Sequence, residues 1–130
     1  MYCMKDEQKH EIKSNLCDGV GDLDFQYIFP PEWMLGAGKQ VCLVTFQPGQ
    51  SIGLHAHVDN AEAYYILEGE ATVTDDGEER ILKPGDTEHC ANSHTHSIAN
   101  NTDKPMKMLA IILNNFTLNH YSHSIVTEQS

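Results

Sequence analysis

The sequence predicts an all-β fold made of short antiparallel strands. Three observations lead to this class: helical periodicity is almost absent, short runs rich in β-branched and aromatic residues recur, and clusters of turn-forming residues separate these runs at close spacing. The chain has 130 residues, which is the size of one ordinary domain and too short for two separate cores. We therefore expect a single antiparallel sandwich or barrel.

Eight strands are expected in the central part of the chain. They cover residues 41–47, 52–57, 63–67, 70–74, 78–82, 87–91, 96–99 and 106–113. The segments between them contain Gly, Pro, Asn and Asp, the residues that favour turns. Asp76-Gly77 is typical of a tight hairpin turn, because both residues tolerate the positive φ angles that such a turn requires.

The two ends of the chain lack this regular alternation. Residues 1–37 are expected to form an N-terminal arm, residues 38–113 the barrel, and residues 114–130 a polar C-terminal tail in which His120 and His123 are solvated. The arm is too apolar between Phe25 and Leu35 to remain in water. We expect it to pack on the barrel or on a second subunit.

Charge and hydropathy exclude two kinds of partner. The net charge is -11, from 19 acidic and 8 basic residues, so the chain repels a polyphosphate backbone and no nucleic-acid partner is expected. No apolar stretch approaches the roughly 18 to 20 residues that cross a bilayer, and the first residues lack the apolar core of a signal peptide. We expect no membrane partner and a cytoplasmic location.

The cysteines carry no expected chemistry. Cys3, Cys17, Cys42 and Cys90 are widely spaced and form no C-x-x-C pair. This spacing fits reduced thiols better than a disulfide framework or a Cys-ligated zinc site. Cys42 lies in an apolar run and is expected to pack as a small hydrophobic residue.

A short segment with two histidines and a glutamate indicates a metal site. Alternate side chains of a strand share a face, so His55 and His57 can direct both imidazoles to one point inside a barrel. A turn of four residues can bring the carboxylate of Glu62 back to the same point. A carboxylate that enters an apolar core needs a cation as its partner.

The spacing of this segment resembles the first motif of the cupin family. Gly49, His55, His57, Glu62 and Gly69 occupy the motif positions in the string GQSIGLHAHVDNAEAYYILEG. A second motif follows along the chain, and two motifs in the right order are far more specific than a single H-x-H pattern.

The second match resembles the second cupin motif at every interval. Gly85, His96 and Asn100 occupy its positions in the string GDTEHCANSHTHSIAN. Ala91 stands where the family usually has proline, and Ser93 stands where it usually has glycine. We therefore expect the loop before the histidine to have a different shape.

This resemblance implies a six- to eight-stranded jelly-roll barrel, or double-stranded β-helix, with one divalent metal ion inside it. The implied ligands are His55, His57, Glu62 and His96. Three imidazoles and one carboxylate suit manganese, iron, cobalt, nickel, copper or zinc, and the sequence does not choose among them. The resemblance favours a site with open coordination positions over a closed structural site. The alternative to a metal site is a vestigial cupin whose pocket is empty or binds metal too weakly to matter.

Three further side chains lie near these ligands in the sequence. Tyr64 has the parity of Glu62, so its hydroxyl is the best-placed acid or base, although packing is the commoner role at such a position. His94 has the parity of His96 and would reach the ion only after a slip of the strand, so we expect it in a loop or at the rim. His89 could touch the cavity.

The segments that carry the four ligands contain no basic residue. No Lys or Arg occurs between Gln40 and Glu79 or between Pro84 and Asp103. The ion itself must then attract an anionic ligand, because no side chain of these segments can clamp a carboxylate. We rank small neutral or singly charged oxygenated molecules above dianionic ones.

The fold class alone does not select a reaction. The leading hypothesis is a small metalloenzyme of the dioxygenase, isomerase or lyase type that acts on a small oxygenated metabolite. The alternative is a non-catalytic cupin that binds or senses a small molecule, and a third hypothesis is a structural role. Cupins of this size often pair through an edge strand or an arm, so we expect a homodimer.

Overall fold

The computed structural model describes residues 1–115, and these form an all-β structure, as predicted. Most of the predicted tail, with His120 and His123, lies outside the described residues. None of the described residues forms a helix long and apolar enough to cross a membrane. The strands are β1 (His10–Ser14), β2 (Asp22–Tyr27), β3 (Gly38–Phe46), β4 (Ser51–Ala56), β5 (Asn60–Glu68), β6 (Ala71–Asp75), β7 (Glu78–Leu82), β8 (Thr87–Cys90), β9 (Thr95–Ala99) and β10 (Met106–Asn114).

The strands form two antiparallel sheets that share one core. The larger sheet has the order β1-β2-β3-β10-β5-β8, and the smaller has the order β4-β9-β6-β7. Buried side chains of both sheets, such as Val44 and Ile66 from the larger and Ile52 and Ile98 from the smaller, belong to one apolar cluster. Non-consecutive strands pair within each sheet, as in a jelly roll, and this brings distant parts of the sequence side by side.

Alternation along β3 shows why these residues form strands. Cys42, Val44 and Phe46 are fully buried, whereas the residues between them are only partly buried. Removing a large apolar side chain from water stabilises the fold by about 1.5 to 3 kcal/mol, so the inward face decides which register is stable. Cys42 therefore packs as a small hydrophobic residue, as expected from the sequence.

The N-terminal segment contains two strands that the sequence analysis did not predict. β1 and β2 form a hairpin, and β2 pairs with β3, so the hairpin extends the larger sheet. Leu23 and Phe25 of β2 are buried, and their neighbours are less so. The expectation that residues 1–37 lack alternation is therefore wrong for β2, whose apolar side chains complete part of the core.

Two local features position the candidate site. Asp76 and Gly77 have φ angles of 46° and 85° and connect β6 to β7, which confirms the tight hairpin turn. β5 begins at Asn60, three positions earlier than predicted, so Glu62 lies inside a strand rather than at the end of a turn. Its side chain is consequently fixed by strand pairing on both sides, with β8 and with β10.

Candidate metal centre

Three strands bring the four implied ligands together. His55 on β4 lies directly opposite His96 on β9, and opposed residues of an antiparallel pair project from the same face. His57 follows the last residue of β4, and Glu62 lies on β5 of the other sheet. Each side chain offers one ligand atom, and these four atoms all lie within 4.8 Å of one another.

The carboxylate of Glu62 lies at the centre of this cluster. Its Oε1 atom lies 3.0 Å from His57 Nε2, 3.2 Å from His96 Nε2 and 3.7 Å from His55 Nε2. The Nε2 atoms of His57 and His96 are themselves only 3.1 Å apart. His57, Glu62 and His96 are buried, and His55 is half-buried. The four ligand atoms therefore converge on one point inside the barrel.

Acceptors outside the cluster hold the rings of His55 and His57. His55 Nδ1 donates to the carbonyl oxygen of Gly53 at 2.8 Å, and His57 Nδ1 donates to Asn60 Oδ1 at 2.6 Å. The Asn60 amide nitrogen donates to the carbonyl oxygen of Val58, which turns the amide oxygen toward His57. Because each Nδ1 carries the proton, each neutral ring presents the lone pair of Nε2 to the centre.

A buried carboxylate holds the third ring in the same way. The two oxygens of Glu88 on β8 lie 2.9 and 3.1 Å from His96 Nδ1. Burial raises the pKa of Glu88, and the bond with His96 partly offsets this. A carboxylate behind a histidine fixes the ring and makes Nε2 a better metal ligand. The role of Glu88 could not be predicted from the sequence, because its contact with His96 joins strands of different sheets and has no local signal.

The converging acceptor atoms require positive charge. Burial alone would raise the pKa of Glu62, but hydrogen bonds from the three imidazoles outweigh it and lower this pKa well below its usual range. The hydrogen bond to Glu62 raises the pKa of His57. Burial of His96 alone would lower its pKa, but its hydrogen bonds to Glu62 and Glu88 outweigh burial and raise the pKa of His96 to about 9. Protons on the rings meet this need without a metal, and a divalent ion fits the same three nitrogens and one oxygen.

Tyr64 lies beside the cluster and is fully buried. Its ring stacks on His96, with centroids 4.6 Å apart and 7° between the planes. Its hydroxyl has no hydrogen-bond partner within residues 1–115. Burial and the charge of Glu62 raise the pKa of Tyr64 well above its ordinary value, so the hydroxyl keeps its proton and can donate a hydrogen bond. Proton transfer by Tyr64 stays a prediction.

The other two histidines of this region lie away from the cluster. His94 is exposed and pairs with Asp76 in the turn between β6 and β7, which agrees with a rim position. His89 alternates on β8 with the buried residues Glu88 and Cys90, so its side chain projects from the opposite face. Neither histidine contributes to the group of converging ligand atoms.

A cavity of about 150 Å³ opens beside the cluster, and its wall includes His55, His57, Glu62 and Tyr64. Two larger depressions on the described surface contain none of the four implied ligands. The cavity wall also includes three polar residues that the sequence analysis did not connect with the site, namely Lys13, Cys17 and Gln40. They come from β1, the turn after it and β3, and no local pattern could reveal contacts made by such distant segments.

The fold and the cluster together define a class, a jelly-roll barrel in which three histidines and one glutamate converge. The model of the cupin domain matches residues 42–112, which is more than half of the chain. The chain belongs to the cupin family. The position where the family usually has glycine holds Ser93, whose φ angle of 72° lies in the left-handed region that glycine favours.

Individual relatives agree with this assignment. The oxalate-binding protein of Thermotoga maritima is 32% identical over 113 residues, which cover 87% of this chain and 93% of the relative. The crystal structure of a predicted oxalate decarboxylase from Thermotoga maritima gives a TM-score of 0.82 at 31% identity, and covers 88% of this chain and 99% of that chain. A cupin superfamily protein from Desulfitobacterium hafniense gives a TM-score of 0.60 at 25% identity, over 80% and 83% of the two chains.

Proposed function

We propose that this cupin binds one divalent transition-metal ion through His55, His57, Glu62 and His96, and that the ion holds a small carboxylate about the size of oxalate. The direction of the imidazoles carries the first half of the proposal. All three Nδ1 atoms donate to acceptors outside the cluster, so three Nε2 lone pairs and one carboxylate oxygen meet at one point. Iron, manganese, nickel, copper, cobalt and zinc all suit this donor set.

The size and charge of the cavity support a small anionic ligand. Its volume of about 150 Å³ is below the roughly 300 to 1,000 Å³ that holds a drug-sized molecule. A divalent ion with the carboxylate of Glu62 leaves a local charge of about +1, which attracts a carboxylate. Dianionic ligands ranked last because the segments that carry the four ligands contain no basic residue. Lys13, from another part of the chain, lies on the cavity wall, so this reason no longer applies. The 32% identical relative from Thermotoga maritima is named for binding oxalate.

Binding is the function that the cavity wall supports best. Outside the four implied ligands, Cys17 and Tyr64 are wall residues that could act as bases, and burial raises the pKa of both. Both therefore keep their protons near neutral pH and cannot abstract one from a ligand. The described wall thus offers a good place to hold a small molecule and a poor set of bases to transform it.

A metalloenzyme of the dioxygenase, isomerase or lyase type is the second candidate. One observation favours it: the Tyr64 hydroxyl is buried at the cavity and has no partner among the residues described. Such a hydroxyl can donate a hydrogen bond, or a proton, to a molecule in the cavity. A bound metal would supply Lewis acidity or redox chemistry there.

Metal analysis and calorimetry on the same preparations test the proposal. Wild-type protein should hold about one equivalent of metal, and His57→Ala should lose it. His94→Ala is the matched control, because it removes an exposed imidazole outside the cluster and should retain the metal. Oxalate should bind to the loaded wild type and not to metal-free protein.

Each result has a definite meaning. Equal metal content in wild type and His57→Ala would refute the metal site. Oxalate binding of equal strength without metal would refute a ligand held by the ion. Turnover of oxalate by the loaded protein would favour the enzyme over the binding protein.

A further inference from the structure

We propose that Lys13 selects dianionic ligands at the metal site by binding the carboxylate oxygens that the ion does not hold. Gln40, a buried residue on the same wall, adds a neutral amide donor beside them. This inference deepens the proposed function and rests on it. It assigns ligand selection to the N-terminal hairpin, which lies outside the segment matched by the family model.

Lys13 faces the interior although it lies on an edge strand. It is opposite Leu23 in the register of β1 and β2, and Leu23 is fully buried. Opposed residues project from the same face, so the side chain of Lys13 runs along the inner face of the larger sheet. Its Nζ atom lies 4.5 Å from the centroid of the buried Phe25 ring. The ammonium group itself therefore lies against the Phe25 ring in a cation–π contact, and because Phe25 is also a cavity-wall residue, this contact holds the positive charge at the wall.

The turn after β1 is held firmly against β4. Ser51 N donates to the carbonyl oxygen of Val20, and Val20 N donates to Ser51 Oγ, each at 3.0 Å. Gly53 approaches the turn so closely that a Cβ atom there would lie 1.9 Å from the carbonyl oxygen of Cys17. The carbonyl oxygen of Gly53 in turn accepts the Nδ1 proton of His55. The hairpin that carries the ammonium group and the strand that carries a metal ligand are therefore fixed relative to each other.

The charges around the cavity match a dianion. Among the groups that face the cavity, a divalent ion, the carboxylate of Glu62 and the ammonium of Lys13 together leave a charge of about +2, whereas the carboxylate of Glu88 lies behind the His96 ring and outside the cavity wall. Burial, followed by the charges of Glu62 and Asp18, raises the pKa of Cys17, so this thiol stays neutral. Glu11 Oε1 lies 3.8 Å from Lys13 Nζ, but Glu11 is 55% exposed and solvent screens the pair. A dicarboxylate neutralises this charge, and a monocarboxylate leaves half of it.

Calorimetric titration of metal-loaded Lys13→Met with oxalate and with glycolate tests the inference. Methionine keeps an unbranched apolar side chain at this position and removes the charge that contacts Phe25. We expect the variant to lose about 10- to 100-fold in oxalate affinity, the range for a lost charge-assisted hydrogen bond, and to bind the monoanion glycolate within about threefold of wild type. Lys104→Met is the matched control, since it removes an exposed charge from a turn that contributes no residue to the cavity wall.

Two additional measurements keep the test decisive. Elemental analysis must show equal metal in Lys13→Met and wild type, which separates ligand selection from metal binding. Lys13→Gln repeats the titration with a polar neutral side chain if the methionine variant does not fold. Lys13→Arg restores the charge and should retain most of the preference for oxalate.

The outcomes separate this inference from the proposed function. If metal-loaded Lys13→Met or Lys13→Gln prefers oxalate over glycolate as strongly as wild type, the inference is overturned and the proposed function remains intact. Lys13 would then serve only as an inward-pointing charge that protects an edge strand from pairing with another chain. An equal loss for both ligands also overturns it, since that is not selection. Failure of oxalate to bind the loaded wild type overturns the proposed function and the inference together.

Discussion

Replacing Glu88 with glutamine removes the charge behind His96 but keeps an acceptor oxygen. The two carboxylate oxygens lie 2.9 and 3.1 Å from His96 Nδ1, and the ring of His96 is fully buried. A hydrogen bond to a charged group contributes about 1.5 to 3 kcal/mol net, against about 0.5 to 1.5 kcal/mol for a neutral pair. The difference is about 1 to 1.5 kcal/mol, and about 1.4 kcal/mol is a factor of ten in an equilibrium constant.

We therefore expect Glu88→Gln to bind the metal about 10-fold more weakly than wild type, and Glu88→Ala, which removes the acceptor as well, about 100-fold more weakly. Competition against a chromophoric chelator of known affinity measures both values. Glu79→Gln on β7 is the matched control, because it removes one negative charge from an exposed position. Its metal affinity should equal that of wild type.

Two results would refute this reasoning. If Glu88→Gln and Glu88→Ala both bind the metal as tightly as wild type, the carboxylate does not hold His96 as a ligand. If Glu79→Gln weakens binding as much as Glu88→Gln, the effect comes from the overall charge of the protein and not from the contact with the ring.

Three further predictions concern the whole molecule. Metal-free protein should lose stability as the pH rises from about 6.5 to about 9, because the pKa of His96 is raised from 6.5 to about 9 and the folded state holds a proton that the unfolded state releases. Thermal unfolding of metal-free protein at several pH values across this range measures the loss of stability. An equal loss of stability in metal-loaded protein would contradict the prediction, because metal-bound His96 carries no proton on Nε2. Gly53→Ala should destabilise the protein by about 1 to 3 kcal/mol in urea, since its Cβ would meet the carbonyl oxygen of Cys17, and an unchanged midpoint would disprove that contact. Light scattering should give a homodimer of twice 14.6 kDa, and a monomer would contradict the expectation.

Features that depend on short stretches of sequence could be predicted without the structure. Alternation of apolar and polar residues identifies a strand locally, which is why the central strands and the all-β class were predictable. The alternation of β2 was equally readable, with Leu23 and Phe25 as its inward residues and with turn-forming residues on both sides, Gly19 and Gly21 before it and Pro30 and Pro31 after it. The family resemblance rested on residue spacing, which is also a local property.

The sequence by itself thus determined the fold class, the family and the set of residues offered as metal ligands. Only the tertiary structure decided what surrounds them: Glu88 behind one ring, Tyr64 stacked and without a hydroxyl partner within residues 1–115, and Lys13 on the cavity wall. The physical reason is that these contacts join strands from different sheets or from opposite ends of the chain. Their geometry follows from which strands pair and in what register, and no periodicity within a single segment encodes that.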